Sequence, residues 1–368
     1  MIRRFGPALS VALFLLIYVG VALAQNNGDL GEMARLGLRR MAGDQNALEG
    51  YDGQYLYVLA LDPDPVKAAQ APPWIIDTPA YRYQRILFSL VARLVAFGQP
   101  HLIPWTLIGL NGLFQSIGTW LVSELLASYG VSRWYALVYG LWAGFAYAVR
   151  LAMTEPLAYG LVAGALLASR RGREAWAAAL YGLAVFTKEI TILFVAAHLV
   201  WRIAARDWRG ALRLLAVAVA PFVAFQFVIL YYFGRFGVGS GGFHGSGFEI
   251  IPYMGLWRIG QHSLAALALL SALYLPMAVL PSLWGIGTAL WRVARHEWAL
   301  PVLILGANAA LFPITPFSTY SEPLGFVRLV CGLLLATLLY GAHVKSRRVL
   351  NYSVLWLLAL GMLLNEAR

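Results

Sequence analysis

The chain has 368 residues, 60% of them hydrophobic and only 12% charged, with a mean hydropathy of +0.68, whereas a soluble globular chain is about 25% charged. So little charge cannot cover a water-facing surface, and apolar stretches near the ~20 residues that cross a bilayer recur along almost the whole length. The net charge of +11 sits in short clusters between apolar runs, the positive-inside pattern of membrane proteins, so no nucleic-acid partner is expected.

In chain order, Arg3 and Arg4 precede an apolar run over residues 8–24, which predicts an uncleaved first span; a cleaved signal peptide ending near Ala22-Leu23-Ala24 is the other reading. Residues 25–101 carry eight carboxylates and no span-length apolar run, so they are expected outside the cytoplasm. Within them, Leu30–Met41 reads as one amphipathic surface helix. Gln84–Phe97 is too short for a span and holds Arg93, whose exposure to lipid would cost about 2.5–3.5 kcal/mol, so it reads as a second juxtamembrane helix.

Ten further spans are expected, at about 102–128, 134–149, 153–169, 175–187, 189–205, 211–232, 263–291, 298–314, 323–342 and 349–365. Alternating them puts fifteen basic residues and only four acidic ones on the cytoplasmic side, the Arg170-Arg171-Gly172-Arg173 cluster among them, so that the whole net charge falls on one face. The expectation is an all-α polytopic bundle of about eleven spans, one membrane-embedded domain over residues 1–368. It comprises a first helix (1–24), a long outer loop (25–101) and the remaining bundle (102–368), with a glycine-rich outer loop at 233–262. Gly234–Gly247 resembles a lid, and Pro313–Arg328 a polar turn entering a membrane helix. Cys331, the single cysteine, stands in an apolar stretch and reads as a packing residue.

Chemistry is expected on the outer face. In Tyr51-Asp52-Gly53-Gln54-Tyr55 a carboxylate beside a glycine and between aromatics suits a general base acting on a hydroxyl; a plain Asp-Gly turn is the other reading. Glu155, in Thr154-Glu155-Pro156, either caps a helix N-terminus or lines a cavity as a rare acid at membrane depth. Lys188-Glu189 interrupts an apolar stretch, so Lys188 faces either a phosphate or a carboxylate such as Glu189 or Glu155. Arg82, Arg85 and Arg328 are further outer cations; an arginine grips phosphate bidentately, and Arg82 and Arg85 equally suit lipid head groups. Tyr51, Gln54, Glu189, Glu322 and His244 complete the expected substrate-binding set. The sequence has no Walker loop, Rossmann fingerprint, zinc-protease motif or nucleophile elbow. Asp62-Pro63-Asp64 is weak as a metal motif, and no cofactor is expected.

The order of these features resembles the GT-C class of glycosyltransferases, which take sugars from polyprenyl- or dolichyl-phosphate. More narrowly, Tyr51-Asp52-Gly53-Gln54-Tyr55, Tyr81-Arg82-Tyr83-Gln84-Arg85 and Thr154-Glu155-Pro156-Leu157-Ala158 resemble bacterial membrane proteins of cell-surface glycopolymer formation. A fainter similarity is to PIG-V type mannosyltransferases. The resemblance implies a polyprenyl-phosphate sugar donor, a glycan or lipid-linked acceptor, and an inner-membrane enzyme facing the periplasm or exterior. It implies inversion in a single displacement, with Asp52 as base and Lys188, Arg82, Arg85 or Arg328 on the leaving phosphate. The tandem acidic pair of metal-using members is absent around Asp52. A transporter or flippase of lipid-linked glycans, which would show paired intramembrane charges, and a non-catalytic envelope subunit are the alternatives.

Overall fold

The computed structural model describes residues 2–44, 46, 47, 49–241 and 247–364. Every regular element among them is helical. In chain order the helices that build the bundle are α1 (Ile2–Gln25), α2 (Asp52–Leu61), α3 (Pro79–Tyr83), α4 (Ile86–Val95), α5 (Ile103–Ser128), α6 (Ala143–Arg150), α7 (Glu155–Arg170) and α8 (Glu174–Thr187). They continue with α9 (Ile192–Ala204), α10 (Trp208–Phe233), α11 (Leu264–Ala294), α12 (Leu300–Ala309), α13 (Pro323–His343) and α14 (Arg347–Leu364).

Among the described residues, five helices are long and apolar enough to cross a membrane: α1 from Arg4, α10, α11, α13 and α14. This is fewer than the eleven spans expected, for identifiable reasons. The segment expected to span at 134–149 is not one helix; it breaks at Leu141 and Trp142 between Ala136–Gly140 and α6. Both pieces lie inside the protein, with Tyr139, Trp142 and Phe145 fully buried. Helices α8 and α9, of 14 and 13 residues, rise only about 20 Å, less than a ~30 Å hydrocarbon core. Helix α5 has the length but carries Asn111, Gln115, Thr119 and Glu124 on its buried side.

The core is organised around α13. A helix apolar on all sides belongs in an interior, and almost all of α13 is buried. It packs against α6 and α12, and Trp142 donates its indole N–H to the carbonyl of Val327 at 2.8 Å. Helix α7 lies between α5 and α8, and α12 against α9 and α11. Helices α10 and α11 each contain one π-helical turn, Leu215–Val219 just before Pro221 and Leu275–Val279, which holds Pro276 and precedes Pro281; proline removes a ladder donor and obliges the backbone to re-register there.

The segment before α5 forms a small layer over one end of the bundle. Leu30–Met41 is not the single surface helix expected. It is two one-turn helices, Leu30–Met33 and Leu38–Met41, and Leu30, Met33 and Leu36 are buried with Leu56, Phe88 and Ile103. The break is at Gly37, whose φ of +61° suits glycine; a Cβ there would lie 2.8 Å from the amide of Gly50. That close approach lets Tyr51 donate its amide to Arg35 O at 2.7 Å, which fixes the chain just before α2. Helix α4 packs on α2, with Leu94 and Phe97 exposed beside it. Arg93 turns back to cap α2, donating to Ala60 O at 3.0 Å and to Leu61 O.

Candidate active site

Asp52 is the first residue of α2, Glu155 the first of α7, and Lys188 the C-cap of α8; Arg328 lies in the second turn of α13. Four segments distant in sequence therefore meet where helices end. The approach of α2 to α7 is set by Gly53, where a Cβ would stand 2.1 Å from Leu151 O. The turn before Glu155 is held from α5 by Asn111, which donates to Met153 O at 2.8 Å and Ala148 O at 3.3 Å. Pro156 follows Glu155 in the first helical turn, where its fixed φ suits helix initiation and its missing N–H costs nothing.

Asp77, Arg82, Asp52, Arg328, Glu155 and Lys188 form one continuous chain of charges, with the pair Arg85–Glu189 beside it. Asp52 accepts from Arg82 Nη1 at 2.9 Å through Oδ1 and from Arg328 Nη1 at 2.7 Å through Oδ2. Arg328 Nε donates to Glu155 Oε1 at 2.6 Å, and Lys188 Nζ to the same oxygen at 2.8 Å. The other oxygen of Glu155 is buried without a hydrogen-bond partner among the described residues. Arg82 is also gripped through Nε and Nη2 by Asp77, at 2.8 and 2.9 Å, and its guanidinium lies 4.0 Å from the Tyr55 ring centroid. Arg85 pairs bidentately with Glu189 and sits 4.3 Å from the Tyr81 ring centroid. Tyr51 donates to Glu322 and receives Arg328 Nη1 at 3.4 Å.

Burial pushes the Asp52 carboxyl up, but the charges of Arg82 and Arg328 outweigh it and hold the group well below the usual carboxylate range. Asp77 is likewise held down, burial being overcome by its hydrogen bonds and charge pairing with Arg82. Burial pushes the Tyr55 phenol up to about 12, so it stays protonated. Between Asp52, Arg82, Arg85 and Arg328 lies a cavity of about 20 Å³, room for about one water and for nothing larger.

Of the residues singled out by sequence, Asp52, Glu155, Lys188, Glu189, Arg82, Arg85, Arg328, Tyr51 and Glu322 come together in this cluster. Gln54 does not; it accepts from Gly50 N–H and donates to Trp74 O and Ile75 O, pinning the loop. His244 lies outside the described residues. So does part of the glycine-rich segment expected as a lid, while its first turn is anchored: Gly237 and Val238 donate to Gln226 Oε1, and Gln226 to Gln84. Sequence reasoning missed Asp77 and Asn111. Asp77 carried a signal, since Asp-Thr-Pro is a helix-start pattern five residues before Arg82; an asparagine inside an apolar run gives no clue to which backbone it holds. Against protein-family models, curated proteins and solved structures the chain has no match.

Proposed function

We propose that this protein is a membrane glycosyltransferase that moves a sugar from a polyprenyl-phosphate donor to a glycan or lipid-linked acceptor outside the cytoplasm, with Asp52 as general base. The observation that carries the reading is the position of Asp52, bridging Arg82 and Arg328 at the mouth of a buried charge network. Two arginines converging on one carboxylate are also two arginines spaced for the oxygens of a phosphodiester. Because the space beside them admits only a water, a phosphate enters by taking the place of the Asp52 carboxylate. That exchange releases Asp52, relieves the charge that depresses its proton affinity and leaves a free base beside the bound donor. Asp52 then takes the acceptor hydroxyl proton as the oxygen attacks the anomeric carbon. The bond from that carbon to the phosphate oxygen breaks, its electron pair leaves with polyprenyl phosphate, and Arg82 and Arg328 stabilise the developing charge in a water-poor site.

The positive-inside asymmetry supports placing this end of the bundle outside, in a bacterial inner membrane. The test is purified protein in lipid nanodiscs offered a panel of polyprenyl-phosphate sugars with glycan acceptors. Release of polyprenyl phosphate, lost in Asp52→Asn, is the expected result; no release from any donor, with the protein folded, overturns the reading.

One observation favours a second reading. Glu155, Lys188 and Arg328 belong to three different helices and are paired in the interior, as charges in transporters are. A flippase would move a fluorescent lipid-linked glycan across proteoliposomes without breaking its sugar–phosphate bond, which separates the two.

A further inference from the structure

A groove of about 410 Å³ runs along the outside of α7, between α5 and α8, on the side of the helix away from the charge network. Glu155, Tyr159, Val162 and Leu166 face the interior, whereas Leu157, Leu161, Gly164 and Ala168 line the groove. Its floor is kept low by Gly160 and Gly164. Neither glycine is demanded by helix contact: a Cβ on Gly164 would meet Leu180 at 3.4 Å and Leu121 at 3.6 Å, and one on Gly160 the carbonyl of Phe114 at 3.5 Å. These are ordinary contact distances, so the glycines leave open a channel that alanine would partly fill.

At the end of α7 remote from Asp52 the groove finishes at Arg171, Arg173 and Trp176, and positive charge there is in surplus. Two carboxylates serve that corner: Glu124 is shared by three guanidinium groups, Arg4 at 2.9 Å, Arg171 at 3.4 Å and Arg133, and Glu174, beside Arg173, is taken by Arg202. Arg173 has no ion pair among the described residues, and Trp176 is 67% exposed beside it, as interfacial tryptophans are. From Leu157 to Arg171 the groove rises about 21 Å, more than the ~15 Å of one leaflet's hydrocarbon.

We infer that this groove binds an anionic phospholipid of the cytoplasmic leaflet, its phosphate on Arg171 and Arg173 and one acyl chain lying over Gly164 and Gly160. The site faces away from the charge network and stands whether or not the protein transfers sugars. A zwitterionic lipid would bring its own cation to a corner already short of carboxylates, so the preference is for net negative charge.

The experiment is native mass spectrometry of the purified protein equilibrated with equal amounts of dioleoyl phosphatidylglycerol and dioleoyl phosphatidylcholine. The parent is expected to retain phosphatidylglycerol preferentially, by about fivefold for each arginine engaged, and to lose the preference as salt screens the head group. Arg171→Gln with Arg173→Gln should bring the two lipids toward parity, and Gly164→Leu, which fills the groove, should reduce retention of both. Equal retention by the parent, or a salt-insensitive preference, overturns the inference without any variant. A preference unchanged in the double variant overturns it too, as does undiminished retention in Gly164→Leu.

Discussion

At the scale of single residues, the network makes opposite demands of two of its acids. Asp52 is 27% exposed and held by two arginines that a ligand can claim; Glu155 is fully buried and serves two cations through one oxygen. Asp52→Asn should therefore lower transfer by about 10²–10⁴-fold, the usual cost of losing a general base, and should also melt lower at neutral pH, because Arg82 and Arg328 lose the carboxylate that pairs them. The pH profile tests the exchange itself. In the free protein Asp52 ionises well below its ordinary value, so the acidic limb of kcat/KM should lie at strongly acid pH. With donor on the arginines that depression is relieved, and the acidic limb of kcat should lie at higher pH; coincident limbs would mean that Asp52 stays paired during turnover. The same depression has a stability consequence. A carboxyl whose folded proton affinity is reduced stabilises the fold above its unfolded value of about 3.9, and that contribution is lost as pH falls through the folded value. Melting temperature should thus carry no Asp52-dependent change from pH 8 to 5 and should fall below about pH 4, less steeply in Asp52→Asn. For the buried acid, Glu155→Ala leaves Lys188 and part of Arg328 uncompensated and should cost about 3–5 kcal/mol. Lys188→Ala should cost less, because Arg328 still holds Glu155; equal melting losses in the two variants would assign Lys188 no separate role beyond the pair.

At the scale of elements, the site depends on backbones that touch. Helix α2 presents Asp52 correctly only because Gly53 lets its first turn rest on the carbonyl of Leu151. Gly53→Ala places a methyl group 2.1 Å from Leu151 O, and a backbone carbonyl cannot rotate aside as a side chain does. The variant should lose transfer about as completely as Asp52→Asn and should also melt lower, but its melting should keep the fall below about pH 4 that Asp52→Asn weakens. A Gly53→Ala protein with parental kinetics would detach the position of α2 from the chemistry. Helix α4 illustrates the other direction of inference. The shortness of the apolar run Gln84–Phe97 and the arginine in its interior already spoke against a lipid-facing span, and Arg93 instead satisfies the terminal carbonyls of α2. The single helix expected over Leu30–Met41 failed because amphipathic spacing describes a face, not what crosses it: the return of the chain at Gly50 and Tyr51 needs Gly37 out of the helical region.

At the scale of the whole molecule, charge distribution predicts a topology that accessibility labelling can check. With buried Cys331 replaced by alanine, a cysteine at Asn46 should react with an impermeant maleimide added to intact cells, and one at Gly172 only after the membrane is opened. Labelling at 172 and not at 46 would invert the bundle and move Asp52 to the cytoplasmic side.

Composition and charge patterning by themselves determined that the chain is helical and rich in membrane-length apolar runs, because continuous apolar runs, unlike the alternating segments of a barrel, satisfy their backbone in a low-dielectric surround as helices. The sequence also nominated nearly every charged member of the site, since ionisable groups inside apolar stretches are costly and therefore few. What it could not decide was their pairing. Asp52 and Arg328 are 276 residues apart and Glu155 and Arg328 173, and ion pairs at such separations follow from where helices end and which backbones approach. Only the tertiary structure settled that Lys188 answers Glu155 rather than Glu189, that Arg85 takes Glu189, and that Asp77 stands behind Arg82. The same holds for the number of long apolar helices: a run of apolar residues is equally content in lipid or in protein, and 134–149 was decided by Trp142 and its neighbours finding α13 to pack against.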